Sequence, residues 1–205
     1  FVSKLFVANT HDEILFFSSL GKVYKTKTYR LPAAGPASRG KAMVNLLPLS
    51  KDEIITTVMP WPSDSSDENA PVHLFFTTLH GNVRRNSLVD FERINSGGKI
   101  AISLADGDRL IGVSPCSEDD DALLAARGGK CIRFPVTAVR LFKGRSSSGV
   151  RGMRLKKDDE VISLTLLKHV DLDVETRNDY LKAISARRRL SVSDYDNRVD
   201  DKTRD

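Results

Sequence analysis

Ile14-Leu15-Phe16-Phe17-Ser18-Ser19-Leu20-Gly21-Lys22-Val23-Tyr24-Lys25 is an apolar run, a small-residue turn closed by glycine, then an alternating run. Leu74-Phe75-Phe76-Thr77-Thr78-Leu79-His80-Gly81-Asn82-Val83-Arg84-Arg85 repeats it. Leu123-Leu124-Ala125-Ala126-Arg127-Gly128-Gly129-Lys130-Cys131-Ile132-Arg133-Phe134 repeats it again. A glycine turn between two short β-rich runs reads as a hairpin. Aligned on Gly21, Gly81 and Gly129, each hairpin carries a cation four positions after the glycine: Lys25, Arg85 and Arg133.

A second element follows each hairpin. Arg39-Gly40-Lys41-Ala42-Met43-Val44-Asn45-Leu46 leads into Asp52-Glu53-Ile54-Ile55. Gly97-Gly98-Lys99-Ile100-Ala101-Ile102 leads into Asp106-Gly107-Asp108 and an apolar run from Leu110. Gly149-Val150-Arg151-Gly152-Met153-Arg154-Leu155 leads into Asp158-Asp159-Glu160-Val161-Ile162. Each reads as a glycine-and-cation loop, a strand, an acidic turn and an apolar strand. Four short strands in a repeat of this length predict propeller-like blades. The run Phe1-Val2-Ser3-Lys4-Leu5-Phe6-Val7 reads as the closing strand of a preceding unit, and the run from Val161 to Leu167 as the first strand of a following one. About three and a half blades are therefore expected over residues 1–168. The chain begins inside an apolar run at Phe1, so a piece of a longer protein is expected.

No sustained 3.6-residue period occurs before residue 170, which excludes stacked helices. The Pro/Ser/Asp-rich stretch over residues 60–69 reads as a loop. Residues 169–205 break the pattern. Val174, Leu181 and Ile184 give loose helical spacing over 171–190, with Arg187-Arg188-Arg189 suited to a helix C-terminus. Residues 191–205 are almost wholly polar and read as disordered.

The 205 residues hold 32 Lys and Arg against 27 Asp and Glu, a formal charge of +5. The distribution says more than the sum. Residues 14–51 hold seven cations and no acid, and residues 122–157 hold ten and no acid. The acids gather in the turns. A basic portion that recurs in step with a repeat suits a polyanion with a regular backbone. Aromatic residues make up 7% and do not interleave with the basic ones. That disfavours single-strand recognition and favours duplex backbone contact. No run approaches the length of a membrane span. Cys116 and Cys131 lack the partners for a zinc site and read as free thiols in a reducing cytoplasm, a single disulfide between them being the alternative.

Catalytic signals fail one by one. Residues 35–41 match the glycine-lysine spacing of a phosphate loop, but Ala42 stands where Ser or Thr must hold Mg²⁺. Met43-Val44-Asn45-Leu46-Leu47-Pro48 reads as a strand, so no helix N-terminus faces a phosphate there. The four histidines, His11, His73, His80 and His169, show no metal spacing.

Val7-Ala8-Asn9-Thr10-His11-Asp12-Glu13-Ile14-Leu15 with Phe17-Ser18-Ser19, Val44-Asn45-Leu46-Leu47-Pro48-Leu49, Asp106-Gly107-Asp108 with Leu110-Ile111-Gly112-Val113, and Gly149-Val150-Arg151-Gly152-Met153-Arg154-Leu155 resemble the C-terminal domain of bacterial DNA gyrase A subunits. The resemblance covers residues 1–168. It implies an all-β fold, a partial β-pinwheel of the six-bladed, propeller-like family in which blades exchange a strand. It also implies duplex DNA wrapped around a basic rim, within an ATP-dependent type II topoisomerase that introduces negative supercoils. The implied partners are double-stranded DNA, a second A subunit, and the gyrase B subunit, in the bacterial cytoplasm at the nucleoid. The family's glycine-rich box is absent, and Ser38-Arg39-Gly40-Lys41, Ser96-Gly97-Gly98-Lys99 and Ser148-Gly149-Val150-Arg151-Gly152 look like degenerate copies. Tyr24, Tyr29, Tyr180 and Tyr195 are not in the context of the strand-cleaving tyrosine. No cofactor is expected in this chain; ATP and Mg²⁺ belong to the holoenzyme. The alternatives are a propeller serving as a protein-interaction platform and the C-terminal domain of a topoisomerase IV A subunit.

The expected DNA contacts are Lys22, Lys25, Lys27, Arg39, Lys41, Arg84, Arg85, Lys99, Lys130, Arg133, Lys143, Arg145 and Arg151. Gly21, Gly40, Gly81, Gly98, Gly129, Gly149 and Gly152 are expected to let the main chain turn or approach closely.

Overall fold

The computed structural model describes residues 5–35, 37–61, 72–144 and 147–201, without the side chains of 190–201. The chain divides into two units, Phe1–His169 and Val170–Asp205. The first holds three blades whose long strands pair antiparallel, built on the three hairpins. In the first blade β1 (Glu13–Ser18) pairs with β2 (Lys22–Lys27) and with β3 (Ile55–Pro60). In the second β4 (His73–Thr78) pairs with β5 (Asn82–Ser87) and, after the two-residue β6 (Lys99–Ile100), with β7 (Leu110–Cys116). In the third β8 (Asp120–Ala126) pairs with β9 (Cys131–Pro135) and, past β10 (Leu141–Phe142) and β11 (Val150–Arg151), with β12 (Val161–Lys168). The only helical turns among the described residues of this unit are 3-10 turns of three or four residues.

Three short strands cross from one unit to the blade before it, β10 pairing with β5 in parallel, Leu141 opposite Arg85. β6 pairs with β2, Lys22 opposite Ile100, and β11 pairs with β5, Val150 opposite Val83. The turn glycines make this possible. Gly21 and Gly81 close their hairpins at φ +75° and +81°, a conformation glycine adopts without Cβ strain. Their carbonyls then accept the amides of the donated segment: Ala101 N at 2.8 Å on Gly21, Gly152 N at 2.9 Å on Gly81. A Cβ on Gly81 would lie 2.7 Å from the Met153 carbonyl oxygen. Gly129 turns its hairpin in the same way at φ +81°, yet a Cβ there would meet nothing within 4 Å. No donated strand reaches the third blade among the described residues, and β9 stays largely exposed.

The core lies between the blades. Strand side chains alternate sides, so Leu15 and Phe17 of β1 meet Leu74 and Phe76 of β4 in one cluster. Ile14 and Phe16 face the other way and are covered by Leu46, Leu47 and Leu49. Phe75 points from β4 to the third blade, where it packs with Ala122, Leu124 and Val136. β4 is thus buried at every position. The inner strands β3, β7 and β12 lie side by side around a cleft of about 340 Å³ lined by Thr57, Val113 and Leu164.

Four expectations are corrected. Residues 43–48 form no strand but a 3-10 turn, Met43–Asn45, because the counterpart segments are strands only where they lie against another blade's hairpin. Leu5, Phe6 and Val7 are exposed and form no closing strand, because a closing strand pairs with the first strand of its own unit and no described strand lies there for them, while residues 1–4 lie outside the described residues. β12 closes the third blade instead of opening a fourth, so the described sheets number three. The second unit is a helix, α1 (Val174–Asp201), running eleven residues past the expected end. No Gly or Pro interrupts it, so nothing stops the backbone at residue 190. The loop expected over residues 60–69 lies outside the described residues from Pro62 onward.

Phe76 is fully buried, with its ring 5.8 Å from that of Phe17 and 5.7 Å from that of Phe91. Phe76→Ala leaves a cavity between the first two blades, with an expected loss of about 3–5 kcal/mol. Urea denaturation checks this; a loss below about 1 kcal/mol would mean that the blades do not depend on this contact.

Candidate nucleic-acid interface

The donated segments place two of the three glycine-and-cation loops, those leading into β6 and β11, at the outermost strands, away from the clustered inner strands. Gly98, at φ +80°, lies flat on the ring of Tyr24, where a Cβ would come within 2.5 Å of it. Tyr24 is buried, and its hydroxyl donates to Glu53 Oε1 at 2.9 Å. Burial and the neighbouring Glu53 raise its pKa well above the ordinary value. Gly149, at φ +88°, seats against the Val83 carbonyl, and Gly152 against the Val83 side chain. Gly40 also has a left-handed φ, +69°, but nothing lies within 4 Å of where its Cβ would be.

The expected cations divide by environment. Arg39, Lys41, Lys130, Arg133, Lys143 and Arg151 are exposed. Lys22, Lys27 and Lys99 are half-buried and tethered. Lys22 reaches Ser50 Oγ at 3.5 Å, Lys27 lies 3.5 Å from Glu13 Oε1, and Lys99 donates to the Arg93 carbonyl at 3.1 Å. Arg145 lies outside the described residues.

Lys25, Arg84 and Arg85 depart from the expected role of surface donors. The Lys25 side chain is only 10% exposed, 2.7 Å from Glu13 Oε2 and 5.1 Å from the Trp61 ring centroid. The two lysines outweigh burial and hold the Glu13 carboxyl below its usual pKa. Arg84 is 1% exposed and Arg85 6%. The cause is the blade's position. β5 belongs to the middle blade, and its outer edge is covered by β10 and β11. Arg93 and Arg140 were not among the expected contacts and are exposed beside the donated loops. The Arg140 guanidinium stacks 4.4 Å from the Phe142 ring. Its place in the acid-free run 122–157 was the available signal.

The recurring acids serve the backbone. A left-handed residue precedes each one: Asp52 before Glu53, Gly107 before Asp108, Asp158 before Asp159. Asp108 Oδ1 accepts the amide of His80 in the second hairpin turn, and Asp159 Oδ1 accepts that of Gly128 in the third, both at 2.9 Å. Glu53 Oε2 accepts the Ser50 amide at 2.8 Å. These carboxylates tie the turns down, which leaves the outer loops without nearby counter-charge from them. Among the described residues no group of side chains could hold a metal ion, and both cysteines are free thiols. Burial pushes the Cys116 thiol up to about 12.

One expected contact is part of an ion-pair cluster. Arg133 Nε donates to Asp121 Oδ2 at 2.6 Å, and His169 Nδ1 lies 2.9 Å from Asp121 Oδ1. Burial raises the Asp121 pKa, but His169 and Arg133 outweigh it and hold the carboxyl below its ordinary 3.8. A depressed folded-state pKa gives stability that is present above 3.8 and lost as pH falls through the folded value. Asp121→Asn is therefore expected to lower the melting temperature at pH 7 and to flatten its decline below pH 4. An unchanged acid limb in that variant would show that the cluster does not contribute.

Residues 12–62, 73–117 and 120–168 match the family model described as DNA gyrase C-terminal domain, beta-propeller. These are the three blades in turn, without their donated strands set apart. The chain is 50% identical over 197 residues to the DNA gyrase A protein of Granulibacter bethesdensis, covering 95% of this chain and 21% of that protein. It is 48% identical over 191 residues to the gyrase A protein of Rickettsia bellii, covering 93% and 21%. Against that of Escherichia coli it is 45% identical over 164 residues, 80% and 18%. The chain thus spans about a fifth of the length of these relatives. Among solved structures, a DNA gyrase A C-terminal domain aligns with TM-score 0.60 at 27% identity, covering 78% of this chain and 50% of that one. The C-terminal domain of a DNA topoisomerase IV aligns with TM-score 0.68 at 24% identity, covering 79% and 49%, a likeness of fold. Matched blade by blade and in order, the chain belongs to the DNA gyrase C-terminal domain family.

Proposed function

We propose that this chain is the part of a DNA gyrase A protein that binds duplex DNA along its outer blade edges and bends it. One observation carries the reading: each donated loop brings cations to the outer edge of the blade before it. Arg93 precedes and Lys99 opens the strand that completes the first blade, and Lys143 precedes and Arg151 ends the one that lies on the second. Equivalent positions on successive blades suit the regular spacing of phosphates. Contacts of this kind position DNA without reading base edges, so preference among sequences comes from bendability. Strand cleavage and ATP-driven supercoiling are proposed for the whole enzyme with its paired A and B subunits. The chain's share is the path of the duplex. The gyrase reading is preferred to topoisomerase IV because the 45–50% identities are to gyrase A proteins. No described helix is long and apolar enough to cross a membrane. The proposed setting is the bacterial cytoplasm, at the nucleoid.

Arg39→Ala with Lys41→Ala in the full-length protein tests the reading at two exposed loop cations. Each phosphate contact removed lowers the slope of log affinity against log salt by about 0.9, so a fall of about 2 is expected. Supercoiling should weaken while relaxation is nearly retained. A normal supercoiling rate with an unchanged salt slope would show that these two residues only solvate their loop.

A further inference from the structure

Arg84 is a fully buried cation beneath a loop that carries exposed ones. β10 and β11 both lie on β5, Phe142 opposite Asn86 and Val150 opposite Val83, so Arg84 sits between the two pairings. Its guanidinium holds carbonyls of the segment between them. Nη1 donates to the Ser147 carbonyl and Nη2 to the Gly144 carbonyl, while Nε donates to Asn86 Oδ1 at 2.7 Å. Its face lies 5.2 Å from the Phe142 ring centroid. Asn86 extends the grip, since its amide donates to the Gly144 carbonyl at 2.9 Å and the Phe142 carbonyl at 3.1 Å. A planar fork with donors fixed in direction can hold two carbonyls of one loop at once. A lysine ammonium, a point charge on a flexible stem, cannot reproduce that geometry.

The place in the register supports a seat for the loop. The third residue after the turn glycine is Tyr24 in the first blade and Arg84 in the second. Tyr24 meets the donated segment through its ring under Gly98, and Arg84 through its Cβ under Gly149 and its guanidinium under Gly144 and Ser147. In the third blade the same position is Ile132, 39% exposed, and no donated loop covers it among the described residues. The two blades therefore seat equivalent loops by different means, and only the second uses a charge.

We propose that Arg84 is a positioning residue for DNA binding: it touches no phosphate itself, but holds Gly144 and Ser147 so that Lys143, with Arg140 and Arg151 close by in the chain, faces the duplex backbone. This rests on the proposed DNA-binding function. It predicts that geometry at residue 84 matters apart from charge. The test uses the full-length protein with Arg84→Lys, which keeps the charge, and Arg84→Tyr, which borrows the first blade's solution. Hydrogen exchange reads the loop, and the salt dependence of duplex binding reads its cations. Both variants should keep protection in β4 and β5. Exchange in residues 143–144 and 147–149 should rise at least about tenfold, and the salt slope should fall by about 1 to 2, at about 0.9 for each phosphate no longer neutralised. Adding Lys143→Ala to Arg84→Lys should lower the slope little further. An unchanged slope in a folded Arg84→Lys variant whose loop has loosened would overturn the proposal, as would a loop that stays protected. If Arg84→Tyr fails to fold, Arg84→Lys alone decides. Lys143→Ala with Arg151→Ala in the otherwise unchanged protein separates the two readings. No change in slope there removes the DNA role of this loop, and exchange in the Arg84→Lys variant still decides whether Arg84 holds it.

Discussion

Everything on the outer edge of this protein depends on two carbonyl oxygens, those of Gly21 and Gly81. Each belongs to a hairpin turn and accepts two amides from a segment that begins a full unit later in the chain: Ala101 and Ile102 in one case, Gly152 and Met153 in the other. The approach is too close for any side chain on the turn residue, and the turn itself needs a left-handed φ. Glycine meets both demands, where any other residue would fail one. The third turn glycine, Gly129, has the backbone angle without the close neighbour. The contrast identifies the donated strand, not the hairpin alone, as the reason the position is crowded.

The exchange links blade completion to charge placement. A segment that completes its neighbour's sheet must lie on that sheet's outermost edge, and the loop that precedes it is carried there too. The cations ride on that loop, while carboxylates such as Asp108 and Asp159 stay behind to cap amides in the turns. The result is a basic edge and an acidic turn region from a chain of only +5 net charge. Loops of this kind have few apolar contacts of their own, and the ring of Tyr24 and the guanidinium of Arg84 supply the support that packing does not.

The hairpins, their glycine turns, the acidic turns and the family were legible in the chain because each is a local pattern repeated three times. What could not be read depended on partners distant in sequence. Residues 43–48 have the composition of a strand, yet become one only when another hairpin receives them. Arg84 and Arg85 follow a turn glycine just as Lys22 and Lys25 do, and charge alone marked all four as surface residues. Burial of β5 follows from its central blade and from β10 and β11, which no local rule announces. Arg140 belongs to neither a hairpin turn nor a glycine loop, the two local patterns that mark the other cations. Residues 191–201 looked too polar to be ordered, but polarity alone does not end a helix that lacks Gly and Pro.

Lysine modification footprinting of the full-length protein, with and without a linear duplex at low salt, tests the central claim most directly. Lys41, Lys99 and Lys143 lie in the glycine-and-cation loops, whereas Lys51, Lys156 and Lys157 lie at the acidic turns. The account predicts that duplex DNA protects the first three and leaves the second three as reactive as before. Protection of the turn lysines with Lys99 and Lys143 still reactive would contradict it, and would place the DNA path on the turns instead of the donated edges.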